Sequence, residues 1–467
     1  MQAGSAAIDI TPDRPLDLEG YGNRSHPAIG TLDPLEARAI VFDDGRTSAA
    51  LVSVDLCGLL LASVQRIRIA AEAACGIAGD HIMVAYSHTH SAPAATPYLN
   101  RPLDGDYLRG LEEALAEVIA TASRRLQPVT LGAGEGRCDF NVNRRLRTPE
   151  GMVMRANPHG IVDKRVRVLR IDHSDSPAAT GTLGGRTLPQ SNPLALLFSY
   201  VCHPTVLGAA NYLYSGDYPG VARGFVDRAF GSAERDDSSR TEPIAHFLPG
   251  CFGNVRPHLL APDGRFREAN PYELAVLGRL LGSDVVRVGE QITSEPVDDI
   301  AIARRAVSLS YAHVPSNTEL QAELDGPRRY WAQALLTQLE RDGSLPTAVI
   351  TDVQVLRLGR HWLVALPGET TLEIGLSVER GLVELGLARP ERGDLTLTMG
   401  YANDYVAYLP AASLMTEGGY EVTSWAEYLR CGPFTPELES TLVGTSLSLA
   451  RELAASRNAA AHNSRPT

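Results

Sequence analysis

Short, nearly continuous apolar runs alternate with segments of helical periodicity over most of this 467-residue chain. That alternation is the strongest constraint on its fold. A run such as "HIMVAYS" (81–87) has no polar face, so it suits a strand covered on both sides. "RAIVFDD" and "SAALVSVDL" read as strands around the turn "DDGRT", and "LALLFSYVCH", "IAHFLPGCFG", "HWLVALPGE" and "LTLTMGYAN" repeat the theme. Between them, "LLASVQRIRIAAEAACGI" has helical spacing and a Gly stop. "YLRGLEEALAEVIATASRRL" reads as an amphipathic helix whose basic last turn suits the helix dipole. Further helices are expected around 218–230, 271–292, 318–341, 370–386 and 437–455, and the Gly-rich "GAGEGRC" (132–138), which lacks the Lys-Ser/Thr of a P-loop, reads as a turn between strands. The pattern predicts an α/β fold, a mixed β-sheet flanked by helices. It forms a single unit over 1–455, with surface loops at 174–192 and 231–243 and a disordered tail at 456–467.

Charge narrows the function. Lys and Arg total 43 against 55 Asp and Glu, a net charge of −12 with no basic run, which argues against a nucleic-acid partner. No apolar run is long enough to span a bilayer, and "ALVSVDLCGLLLASV" is interrupted by Asp55, so no membrane insertion is expected. The first residues show neither the basic nor the apolar region of a secretory leader. The six cysteines are scattered without a CxxC pair. They read as reduced, mostly buried thiols of a cytoplasmic protein.

Unusual polar residues fall where the apolar runs stop. Asp55 ends "ALVSVD"; His88 and His90 follow "IMVAYS"; His203 follows "LLFSYVC"; Asn254 and Arg256 follow "FLPGCFG". Glu369 follows "LVALPG", and Asn403, Tyr405 and Tyr408 follow "LTLTMGYA". In α/β proteins, ligands gather outside one end of the sheet, so these side chains are candidates for a shared site. Each also has a plainer reading: Asp55 is placed to cap a helix, and a histidine after a strand is commonly a hydrogen-bonded loop residue. The H-x-H pair shifts the balance, because alternate residues of an extended segment point to one side. Two histidines and a carboxylate form a set that suits zinc and can leave a position for water. Neither HExxH nor GxSxG occurs, which removes support for the familiar zinc-protease and serine-hydrolase readings.

In order, "EGYGNR", "LDPLEARAIVFDDG", "SHTHSAP", "FNVNRR", "VCHPTVLG…YSGDYPG", "PGCFGNVRP", "ALPGETT" and "GYANDYVAYLP" resemble segments of the neutral/alkaline non-lysosomal ceramidases and their shorter bacterial relatives. The resemblance runs from about residue 6 to 435. It implies the ceramidase catalytic fold without the C-terminal immunoglobulin-like domain, and one zinc held by His88, His203, Glu369 and Tyr408. It also implies an acid/base role for His90, a carbonyl-polarising role for Arg144, and a further catalytic tyrosine, for which "EGGYEVTSWAEY" offers Tyr420. The family's serine in G-D-V-S-P is Arg256 here and its preceding aspartate is Asn254, so a serine nucleophile at that position is excluded.

The chemistry is coherent. Zinc brings the pKa of its water to about 7 and stabilises a developing oxyanion. A histidine of ordinary pKa near 6.5 can shuttle the proton, and an arginine can hold an oxyanion or a substrate carboxylate. The sequence thus predicts a zinc-dependent hydrolase of linear N-acyl amides. An esterase, lactonase or amide-forming acyltransferase at the same site, or a non-catalytic zinc-retaining binder, remains open. Arg256 suggests a smaller, more polar or anionic substrate, a structural ion pair being its alternative.

Overall fold

The apolar runs pair into two sheets that face each other. In the computed structural model, which describes residues 1–98, 103–174, 180–183, 186–189, 193–231 and 244–463, the larger sheet has eight strands. Their spatial order is Ile244–Pro249, Pro193–Tyr200, Arg165–His173, Gln127–Arg137, Gln2–Asp9, Glu36–Asp43, Ser48–Val54 and Ile82–Tyr86. The first two and the last two pair in parallel and the others antiparallel. The second sheet orders Ile300–Ser310, Ala348–Leu358, His361–Ala365 and Thr396–Met399, the last pair again parallel.

Burial explains the stacking. Ile40, Leu51, Met83, Leu131 and Leu197 of the first sheet meet Leu356, Leu363, Leu397 and Met399 of the second in one apolar layer. Helices cover both outer faces. Leu61–Cys75 and Gly105–Ser123 lie on one half of the large sheet, and Asp217–Phe230 and Pro271–Gln291 on the other. Arg329–Asp342, Leu372–Glu384 and Glu437–Asn463 cover the small sheet. The mixed sheet flanked by helices is therefore present twice over, and strands such as Ile82–Tyr86 are wholly buried because each sheet is covered on both faces.

Five details depart from the sequence reading. The helix expected over 318–341 is two helices, Asn317–Ala322 and Arg329–Asp342, because Gly326 and Pro327 interrupt it. "GAGEGRC" is not a turn: it lies almost wholly within the strand Gln127–Arg137. A Cβ on Gly132 or Gly134 would lie 2.5 or 2.8 Å from Ile292, and one on Gly136 2.5 Å from Val288, so the glycines let a helix and its exit lie against the strand. The helix Gly105–Ser123 stops before Arg124 and Arg125, leaving no basic residue in its last turn. The last helix continues to Asn463, into the stretch expected to be a tail, where alanines favour helix. Within the expected 174–192 loop, the strands Thr180–Leu183 and Arg186–Pro189 pair antiparallel. The rest of 175–192, residues 232–243 and residues 464–467 lie outside the described residues. Among the described residues, no helix is long and apolar enough to cross a membrane.

The sheets are stitched together where the parallel strands end. Tyr86 N–H donates to the Tyr401 carbonyl at 2.9 Å, Asn403 N–H to the Val84 carbonyl at 2.7 Å, and Val84 N–H to Asn403 Oδ1 at 3.0 Å. Residues beyond those strand ends are thereby brought to one place.

Candidate active site

The chain leaves its regular strands under strain at this end. His88, Tyr401 and Asn403 have φ of 63°, 54° and 60°, a region non-glycine residues occupy only when their surroundings hold them there. His88 turns inward so that its Nδ1 meets the Cys57 carbonyl at 2.8 Å. His203 Nδ1 meets the Phe252 and Val255 carbonyls at 2.8 and 3.1 Å. A carbonyl only accepts, so both rings carry their proton on Nδ1 and present a bare Nε2 lone pair.

Those lone pairs face Glu369. Its Oε2 lies 3.0 Å from His203 Nε2 and 3.4 Å from His88 Nε2, and all three side chains are essentially inaccessible to solvent. Burial, aided by Arg144, lowers the His203 pKa to about 4, so the ring is neutral at neutral pH. Tyr405 and Tyr428 both donate to Glu369 Oε1, favouring the ionised carboxylate. Three acceptor atoms thus converge within 4.8 Å with no proton of their own to place between them, an arrangement that a divalent cation satisfies. Tyr408 Oη accepts from Arg144 Nη2 at 2.9 Å and lies 3.4 Å from His203 Nε2, so it fits as a fourth donor, an oxygen. Cys57 and His90 form a second group with His88. There the thiol donates to the Thr89 carbonyl at 3.2 Å and burial pushes its pKa well up.

His90 stands beside the cluster, its Nε2 3.2 Å from His88 Nε2 and its buried Nδ1 without a partner among the described residues. Burial, then His88 and His203, lower its pKa well below the ordinary value, which keeps it an unprotonated base. Gly20 holds it in place: with φ of 93°, a Cβ there would meet the His90 Cγ at 2.3 Å. Arg24 fixes the same loop, donating to the Glu19 and His90 carbonyls at 2.8 and 2.7 Å. Gly20→Ala should therefore cost about 1–3 kcal/mol of stability in denaturant unfolding and displace His90 while leaving the metal content unchanged.

The remaining sequence candidates divide. Arg144 is buried, donating to Tyr408 and, through Nε at 2.8 Å, to Glu421. Tyr420 packs its ring edge-on to Tyr408 at 5.4 Å, but its hydroxyl donates to Glu427 Oε2 at 2.9 Å. Asp55 is not a helix cap: it forms a buried ion pair with Arg223. Asn254 accepts from Leu372 N–H at 3.0 Å and donates to Glu373, anchoring the helix Leu372–Glu384. Asn403 joins the sheets. Tyr401, Tyr428, Glu19 and Glu421 were not foreseen. Glu19, in the quoted "EGYGNR", accepts from Ala95 N–H at 2.9 Å and from Thr96, and burial raises its pKa to about 7.

Over 96% of its length the chain superposes on a neutral ceramidase from Pseudomonas aeruginosa with a TM-score of 0.71 and 19% identity, spanning 74% of that chain. The fold is neutral-ceramidase-like. A second solved structure, a ceramidase complexed with C2, gives a TM-score of 0.72 at 18% identity with the same coverage, 96% of this chain and 74% of that one. No protein-family model and no curated protein matches the sequence. The ceramidase-like fold thus coincides with the order of motifs read from the sequence.

Proposed function

We propose that this chain is a zinc-dependent hydrolase of a linear amide bond in a small molecule, with His88, His203, Glu369 and Tyr408 holding one zinc. The observation that carries this reading is the convergence of His88 Nε2, His203 Nε2 and Glu369 Oε2 within 4.8 Å, both imidazoles having their proton committed to backbone carbonyls. The structural neighbours are ceramidases, and ceramide is itself an N-acyl amide. Zinc held there supplies a water made nucleophilic near neutral pH and Lewis-acid pull on a carbonyl oxygen. The chain's own residues do the rest. Neutral His90 takes a proton at its Nε2 side and returns it to the leaving amine. Arg144, aimed through Nη2 at Tyr408, lends positive charge where the oxyanion forms. Tyr420 lines the adjoining cavity of about 440 Å³ with Gly20, Tyr21, Tyr98, Tyr330 and Trp331, which offers the substrate aromatic walls. All six cysteines are free thiols, which suits the cytoplasm.

Elemental analysis of wild type beside His88→Ala and His203→Ala tests the reading, together with hydrolysis of an N-acyl amide panel with and without chelator. About one zinc per chain, lost in both variants, with chelator-sensitive cleavage, is the expected result. Wild type that stays metal-free when offered zinc overturns it. His90→Ala should keep its zinc and lose about 10²–10⁴-fold in kcat.

A further inference from the structure

Arg256 carries a charge that no carboxylate among the described residues balances. It lies on the short strand Val255–Pro257, opposite Val142 of the strand Asn141–Thr148, so its side chain shares a sheet face with Arg144. The preceding carbonyl, that of Val255, accepts from His203 Nδ1 at 3.1 Å, which places Arg256 next to a proposed zinc ligand. Its Nε is fully buried and without an acceptor, and among the described residues the guanidinium finds no carboxylate. Its Cζ lies 4.3 Å from the centre of the Phe266 ring. Burial and the neighbouring Arg144 both oppose its charge.

A half-buried guanidinium whose Nε lacks an acceptor, and which no carboxylate among the described residues neutralises, is open to an anionic partner. From this geometry we infer that Arg256 receives an anionic group of the substrate, so that the substrate is an amide bearing a carboxylate. The inference rests on the amide-hydrolase reading above for the word amide, but not for the carboxylate. Tyr21 links the two halves of such a substrate's site. Its ring packs on His90 at 4.8 Å, it forms a wall of the aromatic cavity, and Arg256 is among the charges that act on it. An N-acyl amino acid fits this arrangement, its apolar portion against the aromatic walls and its carboxylate on the fork of Arg256.

The test is a calorimetric titration of chelator-treated full-length protein with N-acetylphenylalanine and with its neutral isostere N-acetylphenylalaninamide. Removing metal excludes direct ligation of the carboxylate. Wild type should prefer the acid by about tenfold or more, the preference should vanish in Arg256→Gln and survive in Arg256→Lys, and ligand-free Arg256→Gln should melt higher than wild type. Equal affinities for the two probes in wild type overturn the inference whatever the variants do. So does a preference that persists in Arg256→Gln, or a lower melting temperature in that variant, which marks a structural arginine. If the preference is present but no amide is cleaved, the hydrolase reading falls and the anion site stands; if amides are cleaved without the preference, the anion site alone falls.

Discussion

Glu369→Gln should reduce bound zinc to a small fraction of wild type and lower amide hydrolysis by about 10³-fold, the loss expected when several kcal/mol of metal-derived charge stabilisation is removed. The substitution isolates charge from shape. Glutamine keeps an acceptor for Tyr405 and Tyr428, whose hydroxyls both donate to Glu369 Oε1, so the buried network loses little. What it removes is the negative oxygen that faces His203 Nε2 at 3.0 Å and His88 Nε2 at 3.4 Å. An amide NH₂ turned towards those nitrogens donates to a lone pair, which stabilises the empty site and competes directly with a metal. The metal-free variant should therefore fold at least as stably as metal-free wild type, while gaining no thermal stability when zinc is added. Zinc content by elemental analysis and melting temperature with and without zinc check both halves. A variant that retains its full zinc would show that Glu369 is not a ligand.

The parts of this site legible in the sequence share one cause. His88, His203, Glu369 and Tyr408 each follow a run of apolar residues, and a polar residue there has to face something other than the core. The two-sheet stacking was not legible, because a strand buried between a helix and a second sheet has the same apolar composition as one buried between two helix layers. Gly132, Gly134 and Gly136 misled because glycine signals a turn by its conformational freedom, whereas here its small size against Ile292 and Val288 is what matters. Asp55 resisted for another reason: its partner Arg223 is 168 residues away on a helix, and no local pattern reports an ion pair of that span. Tyr428 and Glu421 lie in short helical turns after the last strand, where no periodicity marks which side chains point inward. The motif resemblance supplied the order of the site residues. The tyrosine shell around Glu369 became visible only with distances.

That shell is extended by Glu421, and Glu421→Gln should cost about 3–5 kcal/mol of stability, the penalty for leaving a buried charge uncompensated. The carboxylate is 4% exposed and accepts from Arg144 Nε at 2.8 Å and from Arg145 Nη1. The two arginines are not equally dependent on it. Arg145 also reaches Glu417 at 3.2 Å and the Gly418 carbonyl at 2.8 Å, so it keeps partners in the variant. Among the described residues, Arg144 keeps as hydrogen-bond partner only the phenol of Tyr408. The stability loss therefore falls on the residue proposed to polarise the substrate, and kcat should drop with it while zinc, held by other side chains, remains. Acid unfolding gives the sign. Burial alone would raise the Glu421 carboxyl, but Arg144 and Arg145 outweigh it and hold its pKa below the ordinary value. A carboxylate depressed in the folded state stabilises fully above its unfolded pKa of about 4.3, and that stabilisation is lost as pH falls through the lower folded value. Urea midpoints of wild type should accordingly fall in that acid window more steeply than those of Glu421→Gln, the two curves converging at low pH. Parallel curves would mean that Arg144 is balanced by something other than Glu421, and its place in catalysis would then need a different support.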